Sequence, residues 1–287
     1  MTKPPKIIGV LGLGSMGAGV AGDLKASGFD VVSTAEGRST RSLERAQAAG
    51  VRLLPGLADV VAVADTFLSI VPADQAEPLA AAAARLLDGK TLHYVDCNSI
   101  TPSKVARIAE TVRAAGATYS DGGIIGPPPG GKVKTRLYVS GPSAGVLGGL
   151  ASERMPVLQL GESITQATEM KVLFSAANKG TVALLANIMA AAAKVGLLDR
   201  VAGELDSVKP GLMNVLRSAA PELGDKAARW AVEMDDLAQG LADLDVHPGY
   251  HRAAGEGYRR LSANLDAVDG ATPLDRVLAA WAGPRKG

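Results

Sequence analysis

The chain has few of the residue types on which disulfide-rich, metal-binding and nucleic-acid-binding proteins depend. Cys97 is the single cysteine among 287 residues, which excludes an intrachain disulfide and a zinc site built from cysteines. The three histidines, His93, His247 and His251, are scattered, so we expect no metal site. The 30 Lys and Arg are balanced by 29 Asp and Glu, and no basic stripe is interleaved with aromatic residues. We therefore expect no nucleic-acid partner.

Long apolar runs are also lacking, and we expect no leader. Residues Met1 to Lys6 are followed by a short apolar stretch that leads directly into glycines, which is not the pattern of a signal peptide. No window reaches the roughly 20 uninterrupted apolar residues that a membrane span needs. We expect a cytoplasmic protein without a membrane partner.

Glycine and alanine, by contrast, are abundant, and the first half of the chain alternates strand-like and helix-like segments. There are 34 glycines, and apolar strand-like runs such as Ile7 to Leu11 are separated by short amphipathic helices. Connections this short favour a parallel sheet with helices on both faces. The last strand is predicted at Pro156 to Leu160, and a domain boundary near residue 163.

After that boundary the sequence predicts helices without strands. Thr165 to Leu198 is predicted to be one long helix, because it contains no proline and is rich in Ala, Leu, Met and Lys. The remaining helices are expected to break at five places: Pro210-Gly211, Pro221, Pro248-Gly249, Gly255 and Pro273.

A glycine motif lies between the first strand and the first helix. Its residues are Gly12-Leu13-Gly14-Ser15-Met16-Gly17. The first glycine suits a tight turn, the second admits a pyrophosphate and the third lets the helix pack on the strand, while the helix N-terminus favours the phosphates. The fold class predicted is α/β: a Rossmann-type doubly wound sheet over residues 1–163 that binds NAD(P), joined by a long helix to an all-α domain over residues 164–287.

The residues after the second strand bear on the choice of cofactor. Glu36 stands at about the position where a carboxylate holds the ribose 2′-OH of NAD, but Arg38 and Ser39 follow and could accept the 2′-phosphate of NADP. We predict a preference for NADP(H) with Arg38 as its main determinant. NAD(H) stays open as the alternative.

Several of these segments together resemble a known family. The glycine motif, Val71-Pro72, Asp96-Cys97-Asn98-Ser99 and a lysine early in a long helix near residue 170 resemble the β-hydroxyacid dehydrogenases of the 6-phosphogluconate dehydrogenase superfamily. The resemblance implies that Val71 and Pro72 pass near the cofactor and that Asn98 lies beside the nicotinamide. It also implies that Lys171 is the catalytic lysine, which exchanges a proton with the substrate oxygen.

The neighbours of Lys171 support a special role for it. The helix around Lys171 is apolar on nearly every side, which predicts that it is buried and that a lysine within it has a specific role. Its apolar residues are Met170, Val172, Leu173, Phe174, Ala176 and Ala177. Ser175, Asn178 and Lys179 follow on the same stripe of the helix. We predict that Ser175 positions the substrate and Asn178 contacts it, with Lys179 as a second candidate for the catalytic base.

The chain departs from the family in its substrate loop. An Asp-Ala-Pro-Val-Ser-Gly-Gly type segment is replaced here by Asp121-Gly122-Gly123-Ile124-Ile125-Gly126-Pro127, which lacks the serine. Gly122, Gly123 and Ile124 are predicted to contact the substrate, the glycines through backbone N–H groups. These changes resemble a divergent branch with a distinctive helical C-terminal domain.

The sequence thus predicts an NADP(H)-dependent oxidoreductase that interconverts a hydroxyl and a carbonyl on a small, acidic or polar substrate, with Lys171 as the general acid and base. Two alternatives remain open: an imine reductase of the same architecture, and a non-catalytic NADPH-binding sensor or partner protein. The resemblance also implies a homodimer formed through the C-terminal helical domain.

Overall fold

Residues 7–283 are described by a computed structural model, so the expectation for Met1 to Lys6 lies outside the described residues. The first part contains eight strands: β1 (Ile7–Leu11), β2 (Asp30–Thr34), β3 (Arg52–Leu54), β4 (Thr66–Ser69), β5 (His93–Asp96), β6 (Thr118–Ile125), β7 (Arg136–Ser140) and β8 (Val157–Gly161). Five α-helices alternate with the strands: α1 (Ser15–Ala26), α2 (Thr40–Ala48), α3 (Leu57–Val63), α4 (Ala76–Arg85) and α5 (Pro102–Ala114). The predicted α/β class is confirmed.

All eight strands form one sheet in the order β3-β2-β1-β4-β5-β6-β7-β8. The first six strands in this order, from β3 at the edge to β6, run parallel to one another. The chain winds outward from β1 through β2 to β3, and in the other direction from β4 through β5 to β6. In such doubly wound sheets ligands bind at the carboxyl ends of the strands, where the winding direction reverses. The ends of β1 and β4 are therefore the place to look for a site.

The sheet is parallel except at β7. This strand is antiparallel to β6, and β8 returns parallel to β7. The chain between Ile125 and Arg136 contains no helix, and a parallel neighbour would require a long crossover. The segment Ala144–Leu150 forms a 3-10 helix, and its three glycines disfavour an α-helix.

The remaining helices are α6 (Gln166–Lys194), α7 (Leu198–Val208), α8 (Leu212–Asp243), α9 (Gly249–Asn264) and α10 (Pro273–Ala282). The predicted breaks at Pro221 and Gly255 were wrong, because Pro221 lies inside α8 and Gly255 inside α9. Helix α8 buries a stripe along its whole length, and this tertiary packing outweighs the hydrogen bond that a proline removes. Gly255 lets α9 lie close to Met234 and Ala231.

The core of these helices is centred on Tyr258. Its ring lies edge-on to Trp230 at 5.5 Å and to Trp281 at 5.3 Å. Its hydroxyl donates to the Lys179 carbonyl at 2.7 Å, so the buried polar atom is satisfied. An apolar core separate from that of the sheet holds α6 and α8 to α10 together.

The chain divides into two compact units between Lys171 and Val172, inside α6. The first unit thus carries the sheet together with the first turns of α6, whereas the sequence places a boundary near residue 163. By length and hydropathy alone α6 could cross a membrane, but 44% of its most apolar window is buried within the protein. A core helix of a soluble fold passes the same test.

Candidate active site

The glycine motif forms a tight turn between β1 and α1. Gly12 has a φ of +100°, which L side chains rarely adopt. A side chain on Gly12 would collide with the Ile70 carbonyl oxygen, and one on Gly17 would collide with the Gly12 carbonyl oxygen. Both glycines are therefore required by the folded chain itself, while Leu13 between them is buried in the core.

Gly14 differs from its two neighbours in the motif. It is the N-cap of α1, it is exposed, and a Cβ built on it would meet nothing within 4 Å. Ser15, the first residue of α1, is also exposed, and the first N–H groups of a helix have no intrahelical partner. This cradle fits the pyrophosphate of a dinucleotide, which a helix N-terminus favours and a side chain at position 14 would obstruct.

The loop after β2 carries the residues predicted to select the cofactor. Glu36 is exposed, and its carboxylate is turned towards the Gly56 turn. Arg38 is half-buried, and within residues 7–283 its Nε atom has no hydrogen-bond partner. Ser39 caps α2 by accepting from the Ser42 N–H. A buried guanidinium donor left without a partner fits an anionic ligand at this loop.

Asn98 connects the ends of β4 and β5. Its Oδ1 accepts from the Val71 N–H at 2.6 Å, its Nδ2 donates to Ser69 Oγ at 2.8 Å, and its own N–H donates to Asp96 Oδ1 at 2.9 Å. The side chain is buried, so it holds the Val71 loop in place. Pro72, the next residue of that loop, is exposed.

A cavity of about 310 Å³ lies at the carboxyl ends of these strands, within the first unit. It is lined by Met16, Ile70, Val71, Cys97, Ser99, Ile124 and Lys171. The structure thus brings together the glycine motif, the Val71 loop, the predicted catalytic lysine and Ile124 of the predicted substrate loop. Ser99, an exposed hydroxyl on this cavity, was missed as a site residue, although the sequence places it directly after Asn98.

Two buried carboxylates accompany Lys171. Asp96 and Asp121 are register partners on β5 and β6. Burial raises the pKa of Asp96 to about 6, against hydrogen bonds from Asn98 that lower it. Burial raises the pKa of Asp121 to about 7, against hydrogen bonds from Thr168. The Lys171 ammonium lowers both pKa values, so it stabilises both carboxylates in the charged form.

Gly122 and Gly123 lie inside β6 and pair with Val139 and Tyr138 of β7. A Cβ on Gly122 would lie 2.6 Å from Cys97 Sγ, and one on Gly123 would collide with the Ala167 carbonyl oxygen. Close packing thus explains both glycines, whether or not their N–H groups contact a substrate. Burial raises the pKa of the Cys97 thiol, which is the reverse of what a reactive cysteine requires.

The other polar residues of the predicted stripe lie beyond Lys171, in the second unit. Lys179 forms an ion pair with Glu233 at 2.6 Å and lies 5.8 Å from the centre of the Trp230 ring. Ser175 is half-buried and Asn178 is exposed. None of these three residues is among those that line the cavity of the first unit.

The expectation that this part of α6 is buried nearly all round was wrong. Leu173 and Phe174 are each about half exposed. A helix that is apolar on every side can still leave one face uncovered within a single chain, and an oligomer could cover it. The apolar sequence of this helix indicates that its surface is in contact with other apolar surface, but it does not identify the partner.

Comparisons with known proteins agree with this geometry. Residues 7–147 match the family described as the NAD binding domain of 6-phosphogluconate dehydrogenase. Residues 192–261 match a domain of unknown function, DUF1932. An NAD(P)-binding domain is therefore present, and it contains the glycine turn, the Val71 loop and both buried carboxylates.

Three individual proteins illustrate the likeness. An uncharacterized 28.5 kDa protein of Methanothermus fervidus is 26% identical over 68% of this chain and 74% of its own length. The Mycobacterium tuberculosis 3-hydroxyisobutyrate dehydrogenase, solved with L-serine, is 16% identical with a TM-score of 0.75, covering 96% of this chain and 98% of that one. A Myxococcus stipitatus imine reductase variant, solved with NAD+, is 20% identical with a TM-score of 0.59, covering 97% and 100%.

A substitution at Gly14 distinguishes an effect on cofactor binding from an effect on the stability of the fold. We expect Gly14→Ala to leave the melting temperature unchanged within about 2 °C, because the added methyl meets open space. It should weaken binding of NADPH and NADH about tenfold or more, since the methyl occupies the pyrophosphate position. Fluorescence titration and thermal unfolding of the same protein measure both effects.

Gly17→Ala is the matched control, because it should lower the melting temperature as well as the affinity. Unchanged nucleotide affinity in a folded Gly14→Ala variant would show that no dinucleotide crosses this turn.

Proposed function

We propose that the chain is an oxidoreductase of the 6-phosphogluconate dehydrogenase-like superfamily, an NADP(H)-dependent enzyme interconverting a hydroxyl and a carbonyl on a small, acidic or polar substrate. The observation that carries the proposal is the cavity that holds Lys171 beside Met16 and Val71. The cavity brings the Lys171 side chain, which can donate a proton, next to the glycine motif and the Val71 loop, the two segments that would contact a nicotinamide.

In this proposal a bound nicotinamide supplies or accepts the hydride. Gly14 and the N-terminus of α1 would hold the phosphates, and the Val71 loop, fixed by Asn98, would form the wall beside the ring. Lys171 donates a proton to the carbonyl oxygen during reduction and takes it back from the hydroxyl during oxidation. Its ammonium also stabilises the negative charge that develops on that oxygen.

The polarity of the cavity bears on the substrate. Lys171 and Ser99 are the polar side chains among its lining residues, and the rest of the lining is apolar. Ile125 stands where the family has a serine, and it is buried. A substrate carboxylate or hydroxyl would therefore depend on Lys171 and Ser99 in this unit.

An imine reductase is the second candidate, supported by the likeness to imine reductases over nearly the whole chain. Lys171 favours carbonyl chemistry, because an ammonium has a proton to give to an oxygen that becomes an alkoxide, whereas an iminium substrate already carries a positive charge.

We also propose a homodimer formed through the helical unit. Leu184 and Ile188, four residues apart on α6, are each nearly half exposed, and Val195 continues the same face with two thirds of its surface exposed. An apolar stripe of this kind on one helix is typical of a surface that a second copy covers.

The role of Lys171 can be tested with a screen of carbonyl, imine and hydroxy-acid compounds and NADPH or NADP+. We expect Lys171→Ala to lower kcat about 10²- to 10⁴-fold while the affinity for NADPH stays the same, because the lysine acts on the substrate oxygen. Lys194→Ala, on the same helix, is the control and should match the wild type.

Full turnover by Lys171→Ala on carbonyl compounds would refute the proposed mechanism. Loss of turnover in Lys179→Ala alone would move the catalytic role to Lys179. Tight NADPH binding without turnover of any compound would favour a non-catalytic sensor.

The cofactor preference depends on Arg38. We expect Arg38→Ala to weaken NADPH binding about tenfold or more and to leave NADH binding unchanged, because the guanidinium contacts only the 2′-phosphate. Fluorescence titration measures both affinities, and Arg85→Ala on α4 controls for loss of one surface charge. If Glu36→Gln weakens NADH and Arg38→Ala affects neither nucleotide, the enzyme prefers NAD.

The dimer can be tested by light scattering after gel filtration. We expect Leu184→Glu combined with Ile188→Glu to yield a folded monomer, because a dimer would bury both charges without partners. Val208→Glu, at an exposed apolar site at the end of α7, should leave the mass unchanged. A monomeric wild type at micromolar concentration would overturn the proposal.

A further inference from the structure

The first turn of α6 is bonded to the sheet by side chains of two neighbouring strands. The Ala167 N–H donates to Ser140 Oγ on β7 at 3.0 Å. The Thr168 N–H donates to Asp121 Oδ2, and the Thr168 hydroxyl donates to Asp121 Oδ1, both at 2.7 Å. All these groups are buried, so the helix N–H groups that lack an intrahelical partner are satisfied by the sheet and not by water.

This attachment determines where Lys171 lies. Lys171 follows Thr168 by three residues and is therefore on the same side of the helix, one turn further on. Gly123, two residues after Asp121, is the position where α6 comes closest to β6, and a Cβ there would be 3.5 Å from Lys171 Cβ. Moving the Asp121–Thr168 contact would move the lysine with it.

Charge links the same residues. The charge of Lys171 interacts with those of two buried carboxylates of the sheet, Asp96 and Asp121. Asp121 also lies at the N-terminus of α6, whose dipole favours a negative charge there. Both oxygens of Asp121 accept a hydrogen bond, which stabilises its charged form against the cost of burial.

We propose that Asp121 is a positioning residue for Lys171: it fixes the turn of α6 that carries the lysine by binding both donors of Thr168, and its carboxylate favours the ammonium form of the lysine. The proposal rests on the proposed function, in which Lys171 is the proton donor. Asp121 itself touches neither substrate nor cofactor in this scheme.

Titration of Lys171 tests the charge effect without any substrate. The full-length protein is labelled by reductive methylation with ¹³C-formaldehyde, and the Lys171 signal is assigned by its absence from Lys171→Arg. In Asp121→Asn we expect the titration midpoint of Lys171 to fall by about one pH unit or more, because a nearby negative charge that favours the ammonium is removed. Asp23→Asn is the matched control, since Asp23 is also buried and bonded to a hydroxyl, that of Ser152.

The pH profile of carbonyl reduction tests the same effect on activity. A general acid must be protonated, so activity falls as pH rises through the pKa of Lys171. In Asp121→Asn this alkaline limb should move to lower pH by the same amount as the titration midpoint. A merely structural residue would lower kcat without moving the limb.

Thr168 tests the geometry and replaces Asp121→Asn if that variant does not fold. We expect Thr168→Val to lower kcat about tenfold with little change in KM, because it removes one of the two donors that hold the turn, and Thr168→Ser to restore kcat.

An unshifted titration midpoint in folded Asp121→Asn, or Thr168→Val with wild-type kcat, would overturn the positioning role and leave the proposed function intact. If Lys171→Ala keeps full turnover, the proposed function fails instead, whatever the titration shows.

Discussion

The approach of α6 to β6 is the constraint on which the candidate site depends. Gly123 leaves no side chain between strand and helix, and Asp121 and Ser140 take up the N–H groups of the helix end that arrives there. A larger residue at position 123 would push the helix away from the sheet. Lys171 would then leave the cavity that it shares with Met16 and Val71.

This arrangement has an electrostatic cost that the same contacts offset. Two carboxylates at paired positions of adjacent buried strands raise each other's cost of ionisation, and burial raises the pKa of both. Each is compensated by N–H donors of the protein and by the Lys171 ammonium. Protonation of the two carboxylates is therefore coupled. Both interact with the Lys171 ammonium, which is the charged group that lines the cavity.

The sequence predicts the fold well where the constraint is local. The glycine motif between β1 and α1 demands its turn through the φ of Gly12 and the contact of Gly17, so the residues alone indicate the first strand, helix and nucleotide cradle. The antiparallel β7 and the uninterrupted helix at Pro221 were missed for a different reason. Strand direction and helix continuity there depend on partners far away in the chain.

For the candidate site, too, the sequence predicts some residues and misses others. The Val71 loop and Asn98 each follow a predicted strand, and Lys171 is predicted because the chain resembles a family with a lysine early in this helix. The partner of Asp121 could not be named from the sequence, since Thr168 lies 47 residues later and a lone aspartate and a lone threonine carry no signal of each other.

Two lysines on one helix show why position alone does not assign a role. Lys171 and Lys179 lie eight residues apart on nearly the same face of α6, and the sequence treats both as candidates. Lys179 forms an ion pair with Glu233 at 2.6 Å and lies 5.8 Å from the centre of the Trp230 ring, so a structural contact accounts for its charge. Lys171 interacts instead with carboxylates that are already engaged by Asn98 and Thr168. It lines a cavity, as the proposed role of Lys171 as proton donor requires.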